Sequence, residues 1–264
     1  MLKTIPEVHV ATSAADFLRT LHIEHGPPEL LGPFFARAIR AAGDVGLTLD
    51  TVALDELAWL NRKQRDNWLP IVPTLDGVLN SIDEKRAFGI VARNGSGNVI
   101  AAHAARLFDW NHTDLGAELQ SLRLFYDDSS SAIARRETCV STAETANSVA
   151  GRVVYSGAAW VHPDHRRRGL TAIVPRIAKA LAFTRWQPDT ICSLMTTSVH
   201  AAGFFKRFAY QHIDWEVTWT NSPLGSLRLA IVWMDMNHLL DDLRSYMTTA
   251  AVLPGSGERS RNTG

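Results

Sequence analysis

Residues 158–172, which read AAWVHPDHRRRGLTA, place a strand, a basic turn and the start of a helix one after another. The apolar strand ends before Pro163, three arginines follow, and Gly169 precedes an apolar helical pattern. The first backbone N–H groups of a helix have no internal partners, and the helix dipole adds about half a positive charge there. The stretch therefore predicts an anion site that suits a phosphate group, and Gly169 lets the backbone approach it closely.

Two other interpretations of the basic turn stay open at this point. Arg166, Arg167 and Arg168 could form a solvated surface turn in which Gly169 only changes the direction of the chain. They could also bind a different phosphate ligand or a nucleic acid. The chain has 27 basic and 27 acidic residues, so no excess charge holds the molecule on nucleic acid, and this argues against that partner.

Downstream of the basic turn, strands and helices alternate in the manner of a mixed sheet with helices on its faces. Residues 169–183 have helical apolar spacing, residues 190–196 are strand-like, and residues 199–207 predict a short helix. Two strand-like runs follow at residues 212–220 and 226–234, joined by the turn sequence NSPLG. This order predicts an α/β fold that closes with a hairpin.

Upstream of the basic turn, the clearest element is another hairpin. Residues 87–93 and 98–108 are β-compatible and are joined by NGSG, whose residues tolerate positive φ. Residues 152–161 form the strand that enters the basic turn. The intervening residues 109–150 are irregular apart from an amphipathic stretch at 115–126, and they are interpreted as an insertion between the third and fourth strands.

The beginning of the chain shows two helical patterns and one strand. Residues 33–42 open with a proline and close at Gly43, which predicts a helix. Residues 47–53 alternate in the manner of a strand. The helix that follows has its predicted N-cap at Asp55 and ends before Pro70.

A length of 264 residues allows one elaborated domain. We assign residues 46–245 to that domain, with the insertion at 109–150. Residues 1–45 are a helical extension, and residues 246–264 are a flexible tail that is mostly small or polar.

The composition, 46% apolar and 20% charged, is that of an ordinary globular protein. Residues 1–10 lack the apolar run of a signal peptide, and no uncharged run approaches the roughly 18 residues that span a bilayer. Cys139 and Cys192 show neither a metal-binding spacing nor a disulfide framework, although Cys139 could be exposed. We therefore expect a cytoplasmic protein without a metal, without a membrane or nucleic-acid partner, and able to form a homodimer.

The segment 161–171 resembles the acetyl-CoA signature of the GNAT superfamily, a Val-x-Pro strand end that leads into Arg/Gln-x-x-Gly-x-Gly/Ala. Arg166 and Gly169 match this pattern, whereas Thr171 replaces its small final residue. Residues 198–210, SVHAAGFFKRFAY, are similar to the family's second motif, Asn-x-x-Ala-x-x-x-Tyr-x-x-x-Gly-Phe. The two motifs stand in the family's order, separated by a helix and a strand.

The resemblance covers roughly residues 47–220 and implies a GNAT fold and an acyl-CoA-dependent N-acyltransferase. Such an enzyme passes an acyl group, here expected to be acetyl from acetyl-CoA, to a primary amine of a small molecule or protein by direct attack. The fourth strand would pair with the pantetheine arm, and the amides that follow the basic turn would face the pyrophosphate. The resemblance thus assigns the cofactor to Ala159, Trp160, Val161, Arg166, Arg167, Arg168, Gly169, Leu170, Thr171, Ala172 and Ser198.

The second motif leaves the general acid open, because Phe205 stands where the family has the tyrosine that protonates the departing thiolate. Tyr210, His200 and Tyr155 are the catalytic candidates that could replace it. Each also has a structural interpretation, since buried tyrosines pack and a helical histidine is commonly solvated. The candidates for a general base are Glu137, Glu144, His103 and His162.

Because Phe205 and Ser198 replace reactive positions, a second function stays open, a non-catalytic GNAT-like protein that binds or senses acyl-CoA. No strongly acidic segment is present to bind a polycation, which favours a neutral or apolar amine as acceptor. Four tryptophans could line an apolar acceptor or acyl pocket: Trp59, Trp68, Trp110 and Trp160.

Overall fold

The computed structural model describes Phe17 and residues 21–249. Its strands are β1 (Leu47–Val52), β2 (Ala87–Asn94), β3 (Val99–Trp110), β4 (Thr138–Ser141), β5 (Gly151–Val161), β6 (Thr190–Thr196), β7 (His212–Ser222) and β8 (Gly225–Asp235). Its helices are α1 (Pro28–Asp44), α2 (Leu54–Lys63), α3 (Leu115–Gln120), α4 (Ser130–Ala134), α5 (Glu144–Ser148), α6 (Leu170–Trp186), α7 (Thr197–Ala201), α8 (Phe204–Arg207) and α9 (Met236–Thr248).

The eight strands form one mixed sheet in the order β1-β2-β3-β5-β6-β8-β7-β4. Among the described strands, β5 and β6 form the parallel pair and every other neighbouring pair is antiparallel. The mixed α/β class predicted from the sequence is therefore confirmed.

The parallel pair opens into a cleft. Residues Val153–Tyr155 of β5 pair with Thr190–Cys192 of β6. Strand β5 then continues to Val161 and β6 to Thr196, but these later residues do not pair with each other. From Ser156 onward the two strands diverge, so their facing backbone groups are available to other partners.

A bulge in β5 shapes this cleft. Ala102 pairs with Trp160 and Ala104 with Gly157, so Ala158 and Ala159 together oppose one residue of β3. Ala158 has a φ of 55°, a left-handed conformation that residues with a Cβ rarely adopt.

The backbone of β5 beyond the bulge alternates between β3 and the cleft. His162 N–H donates to Ile100 O at 2.7 Å, so His162 faces β3. In an antiparallel pair the hydrogen-bonding direction alternates along the strand. The N–H and C=O groups of Ala159 and Val161 therefore face the cleft.

Helix α6 lies across one face of the sheet, against β3 and β5, with α1 and α9 beside it. It is buried on most of its circumference, as expected of a helix that is apolar nearly all round. The opposite face carries α2, α3 and the insertion, where Phe125 and Trp219 stack with ring centroids 4.0 Å apart. The cleft opens between these two layers.

The helix predicted at 33–42 is longer than expected, because α1 runs Pro28–Asp44 with Pro33 and Gly43 inside it. Three other local expectations were wrong. Helix α2 has Ala53 as its N-cap, and Asp55 lies in its first turn, where a carboxylate is favoured by the helix dipole. The short helix expected at 199–207 is divided into α7 and α8, because Gly203 adopts a left-handed φ of 77° between them. The third expectation was that Cys139 could be exposed, but the structure buries it.

The elements that were not predicted include the short helices α4 and α5, strand β4 and helix α9. The insertion contributes β4, which pairs with β7 at the edge of the sheet, so the predicted fourth strand is β5. Helix α9 follows β8 and includes the first three residues of the predicted tail at 246–264. The tail beyond Thr249, and most of the extension before Leu21, lie outside the described residues.

None of the helices within Phe17 and residues 21–249 is long and apolar enough to cross a membrane.

Candidate functional site

The basic turn joins β5 to α6 through two left-handed residues. Residues Pro163–His165 form a short 3-10 helix, after which Arg167 has a φ of 65° and Gly169 a φ of 77°. Arg166 is held to the strand end because its Nε donates to Val161 O at 3.3 Å. The turn therefore has a defined backbone path into the first residues of α6.

The start of α6 has unpaired backbone donors. Gly169 is the N-cap and brings no side chain to accept a hydrogen bond, while the N–H groups of Ala172 and Ile173 donate to Gly169 O. In the part of the chain that the structure describes, the N–H groups of Leu170 and Thr171 have no acceptor. Two unpaired amides at the positive end of a helix dipole are a group that can bind an anion.

A cavity of about 710 Å³, which we call the turn cavity, lies between the end of β5, the start of α6 and α8. Arg166, Arg167 and Arg207 line it, and among its described lining residues there is no carboxylate. Its other lining residues are Ala102, Ala159, Trp160, Val161, Gly169, Leu170, Thr171, Ala172, Val174, Pro175, Phe204 and Phe208. The cavity is thus cationic along one side and apolar along the other.

Most of the residues assigned to the cofactor meet in the turn cavity. These are Ala159, Trp160, Val161, Arg166, Arg167, Gly169, Leu170, Thr171 and Ala172. Arg168 and Ser198 are not among the lining residues. Arg168 is exposed, and Ser198 lies on α7, where its Oγ bonds Thr196 Oγ1 at 3.0 Å.

Sequence reasoning missed Phe204, Arg207 and Phe208 as lining residues of the turn cavity. They belong to the segment that resembles the second family motif. The available signal was Gly203, whose left-handed φ ends α7 and starts α8 in a new direction. A helix continuous across this glycine would have a different face toward β5.

A second cavity of about 400 Å³, which we call the cleft cavity, lies between residues 67–72 and the diverging strands β5 and β6. The two cavities share the lining residues Ala159, Trp160, Arg166, Phe204 and Phe208. They therefore meet at the bulge of β5, and a ligand that fills one can reach a ligand in the other.

Residues 67–72 are fixed over the cleft by aromatic and polar contacts. Trp68 stacks on Trp160 with ring centroids 4.8 Å apart and planes 9° from parallel. Trp160 Nε1 donates to Asn67 O at 2.9 Å, and Asn61 Nδ2 donates to Leu69 O at 2.9 Å. This wall of the cleft cavity is thus an ordered part of the fold.

Two tyrosine hydroxyls lie where β5 and β6 separate. The backbone N–H of Leu194 donates to the Tyr155 hydroxyl at 3.4 Å, and the Tyr210 hydroxyl donates to Ser156 O at 3.4 Å. They replace the strand-to-strand hydrogen bonds that end at this level. Burial raises the pKa of Tyr155 and of Tyr210 well above the usual range, so both hydroxyls stay protonated at neutral pH.

A buried polar group lies beneath the cleft on the α6 side. His103 Nε2 and Ser156 Oγ are 2.7 Å apart, and Lys179 Nζ donates to Phe208 O. Lys179 Nζ also lies 3.7 Å from the centre of the Tyr210 ring. Burial lowers the pKa of Lys179 to about 7, and burial followed by the charge of Lys179 lowers the pKa of His103 to about 3.

The three catalytic candidates from the sequence occupy different places. Tyr155 and Tyr210 line the cleft cavity. His200 is exposed on α7, where its ring lies edge-on to Trp215 at 5.2 Å, and it lines neither cavity. Phe205, which replaces the family's tyrosine, lies beside His200 and also lines neither cavity.

Of the general-base candidates, His103 lines the cleft cavity. Glu137 is buried near β4, where it accepts hydrogen bonds from Tyr126 and Trp219, and Glu144 is exposed on α5. His162 lies in the basic turn and accepts a hydrogen bond from the backbone N–H of Asp164. His162, Glu137 and Glu144 line neither cavity.

No family model matches the chain, and no curated protein matches it by sequence. Solved structures with a similar fold include polyamine N-acetyltransferase of Drosophila melanogaster (16% identity, TM-score 0.46), covering 72% of this chain and 100% of that one. NAA60 of Arabidopsis thaliana, in complex with acetyl-CoA, has 15% identity and a TM-score of 0.43. The match covers 72% of this chain and 99% of the NAA60 chain. Spermidine/spermine N-acetyltransferase SpeG of Vibrio cholerae has 8% identity and a TM-score of 0.44. The match covers 75% of this chain and 98% of the SpeG chain.

These likenesses concern the fold alone, because the identities are low and all three TM-scores lie below 0.5. The eight-stranded mixed sheet, with its diverging parallel pair, is consistent with the GNAT fold that the sequence motifs indicated.

Proposed function

We propose that the protein is an acyl-CoA-dependent N-acyltransferase that transfers an acetyl group to a primary amine. The main support is the adjacency of the two cavities at the bulge of β5. The turn cavity suits a ligand that carries phosphate groups, and the cleft cavity suits a less polar ligand. A thioester at their junction would meet an amine from the cleft side, as direct attack requires.

The turn cavity would hold acyl-CoA through two kinds of group. The amides of Leu170 and Thr171 would bind the pyrophosphate, with the guanidinium groups of Arg166, Arg167 and Arg207 around it. The cleft-facing backbone of Ala159 and Val161 would pair with the pantetheine arm. The residues present fit the ligand, since unpaired donors and positive charge lie together.

In the reaction, the amine nitrogen forms a bond to the carbonyl carbon, and the carbon–sulfur bond breaks with its electron pair going to sulfur. The nitrogen loses one proton and the sulfur gains one. A cleft-facing N–H of Ala159 or Val161 would stabilise the negative charge that develops on the carbonyl oxygen. Placing both reactants at the junction supplies the orientation that direct attack needs.

Tyr155 is the better candidate for the proton donor to sulfur. Its oxygen accepts the Leu194 N–H and lies near the Ser193 hydroxyl, so its proton can be turned toward a ligand, whereas the proton of Tyr210 is donated to Ser156 O. A thiol with a pKa of about 8.5 is a good leaving group, so the contribution of this acid should lie at the low end of the roughly 10²–10⁴-fold that general acids supply.

The acceptor would be an amine without additional positive charge. Within the described residues, no carboxylate lines the cleft cavity. A polyamine in this cavity would have to bury unpaired ammonium groups, at a considerable cost. We also propose that residues 46–245, with the insertion at 109–150, act as one catalytic domain.

Calorimetric titration with CoA and acetyl-CoA tests the cofactor site. Gly169→Glu would place a carboxylate against the pyrophosphate, and we expect micromolar binding in the wild type and at least a hundredfold loss in this variant. Gly203→Glu is the matched control, because Gly203 is also a left-handed N-cap with a φ of 77° and a side chain there would meet nothing within 4 Å. Equal binding by the two variants, or no binding by the wild type, would contradict the assignment.

A non-catalytic acyl-CoA sensor is the second candidate function, and the position of Phe205 favours it. This residue lies away from both cavities and has no proton to donate. A sensor would bind acetyl-CoA with the same dependence on Gly169 but would release no CoA when amines are added.

A further inference from the structure

His103 is a buried side chain with one ring nitrogen unused. Its exposed fraction is 2%, and it lines the inner end of the cleft cavity. Its Nε2 is bonded to Ser156 Oγ at 2.7 Å. Across Phe17 and residues 21–249, no group forms a hydrogen bond with its Nδ1. A buried polar atom left without a partner costs about 1–3 kcal/mol, so the unpaired Nδ1 calls for an explanation, and a bound ligand would supply the missing partner.

The rest of the cleft cavity narrows the chemistry of that ligand. The hydroxyl of Tyr155 and the guanidinium of Arg166 can donate hydrogen bonds to a ligand, whereas the Tyr210 hydroxyl donates to Ser156 O. Of the described lining residues, His103 alone supplies a side-chain nitrogen with a lone pair. It can accept a hydrogen bond from an N–H group, as can the side-chain oxygens of Asn67, Ser193 and Thr196 in the same lining.

The walls of the cavity are apolar. Trp68, Leu69 and Ile71 line the side that residues 67–72 form, and Phe204 and Phe208 line the α8 side. Such walls stabilise an aliphatic or aromatic body through burial of its surface, at roughly 25 cal/mol per Å².

We propose that the cleft cavity binds an apolar monoamine and that His103 Nδ1 accepts a hydrogen bond from its attacking nitrogen. This inference rests on the proposed acyltransferase function and names the acceptor class of the same site. It assigns the imidazole the tautomer in which Nε2–H donates to Ser156 Oγ. The hydrogen bond holds one N–H of the neutral amine, so the nitrogen lone pair can be directed at the thioester carbon near the bulge.

The surroundings of His103 favour this role over binding of a charged group. Lys179 lies on the α6 side beneath the same ring cluster, and burial together with its charge keeps the imidazole neutral. A neutral Nδ1 is an acceptor throughout the pH range of an enzyme assay.

A bisubstrate analogue provides the test, namely CoA whose sulfur is joined through a methylene to the amide of 2-phenylethylamine. Its amide N–H stands for the N–H of the attacking amine. Titration calorimetry should show the wild type binding the analogue at least tenfold more tightly than CoA. His103→Leu should bind the analogue about tenfold more weakly than the wild type and bind CoA unchanged.

Two further variants make the test specific. His103→Asn keeps an acceptor oxygen near the Nδ1 position and should retain most of the analogue affinity. His212→Leu is the control, because its ring stacks on Trp233 at 4.0 Å and lines neither cavity, and both affinities should stay unchanged. Unchanged analogue binding in His103→Leu would overturn the inference, as would an analogue that binds the wild type no better than CoA.

A spectroscopic measurement on the wild type is independent of whether the variants fold. Nitrogen NMR of the histidine rings should show His103 with a proton on Nε2, and its Nδ1 resonance should shift when the analogue binds. A proton on Nδ1 would overturn the inference. Absence of CoA binding by the wild type would instead refute the proposed function, and this inference with it.

Discussion

The turn cavity and the cleft cavity share five lining residues but differ in charge and in origin. The turn cavity has three arginines and two unpaired amides, and it is formed largely by residues 159–175. The cleft cavity has one titratable acceptor among its described lining residues, His103, and is formed by segments that lie far apart in the sequence. An electrostatic site can thus be encoded in one continuous stretch, whereas an apolar site requires the whole fold.

Lys179 has the largest expected effect, because it lies below the boundary of the two cavities and binds the carbonyl of the shared residue Phe208. Burial lowers its pKa from 10.5 to about 7, and nearby Asp242 raises the pKa while Arg176 lowers it further. Between these two pH values the unfolded chain holds a proton that the folded chain has released. The free energy of unfolding should therefore rise with pH from about 7 to 10.5.

The measurement is urea unfolding of the wild type and of Lys179→Met at several pH values in that window. We expect the stability difference between them to change in favour of the wild type by on the order of 5 kcal/mol as the pH rises. The control is Lys206→Met, because Lys206 is exposed. Its difference in free energy of unfolding from the wild type should not change with pH. A flat difference for Lys179→Met would mean that its amine is not desolvated in the fold.

Trp68→Ala removes part of the wall of the cleft cavity and no lining residue of the turn cavity. Trp68 is buried and stacks on Trp160, so its loss should lower the free energy of unfolding by about 3–5 kcal/mol. Denaturant unfolding would show this, and CoA affinity should change less than threefold. Half-exposed Trp59, truncated to alanine as a control, should cost about 1 kcal/mol or less.

Tyr155→Phe tests which hydroxyl serves the chemistry at the junction. If Tyr155 protonates the departing sulfur, its loss should lower kcat about a hundredfold while the KM for acetyl-CoA changes little. Tyr210→Phe removes a hydroxyl whose proton is already donated to Ser156 O, so its kcat should fall less. Steady-state kinetics that rank the two variants in the opposite order would reassign the acid to Tyr210.

Arg207→Gln has the smallest expected effect and sharpens the boundary of the turn cavity. Arg207 lines that cavity, so its loss should weaken CoA binding about tenfold and reduce the dependence of binding on salt. Arg168→Gln is the matched change outside the lining and should stay within twofold. Equal losses would show that the arginines act only through general charge.

The turn cavity was largely predictable because its signal is contiguous: an apolar strand, Pro163, three arginines, Gly169 and a helical pattern. Arg168 and Ser198 were assigned by the same motifs but lie outside the lining. The motif specifies the path of the backbone, whereas the direction of each side chain depends on the left-handed φ of Arg167 and on the contacts of α7.

The cleft cavity was much harder to predict. His103 lies in the alanine-rich run VIAAHAAR, and nothing there shows that Ser156 and Lys179 will lie near it. The left-handed residue of the bulge is Ala158 and not the neighbouring Gly157, so the glycine does not show where the positive φ falls. Strand β4 has four residues, too few for an alternation to be recognised, so its pairing with β7 was missed.

The central claim is that an amine in the cleft cavity attacks a thioester held from the turn cavity. It is tested most directly by the rate of CoA release from acetyl-CoA in the presence of 2-phenylethylamine or spermidine, for the wild type and Gly169→Glu. We expect 2-phenylethylamine to accelerate release by the wild type, spermidine to do so far less, and neither amine to act on the variant. Spermidine as the better acceptor, or no acceleration by any amine despite firm CoA binding, would contradict the account.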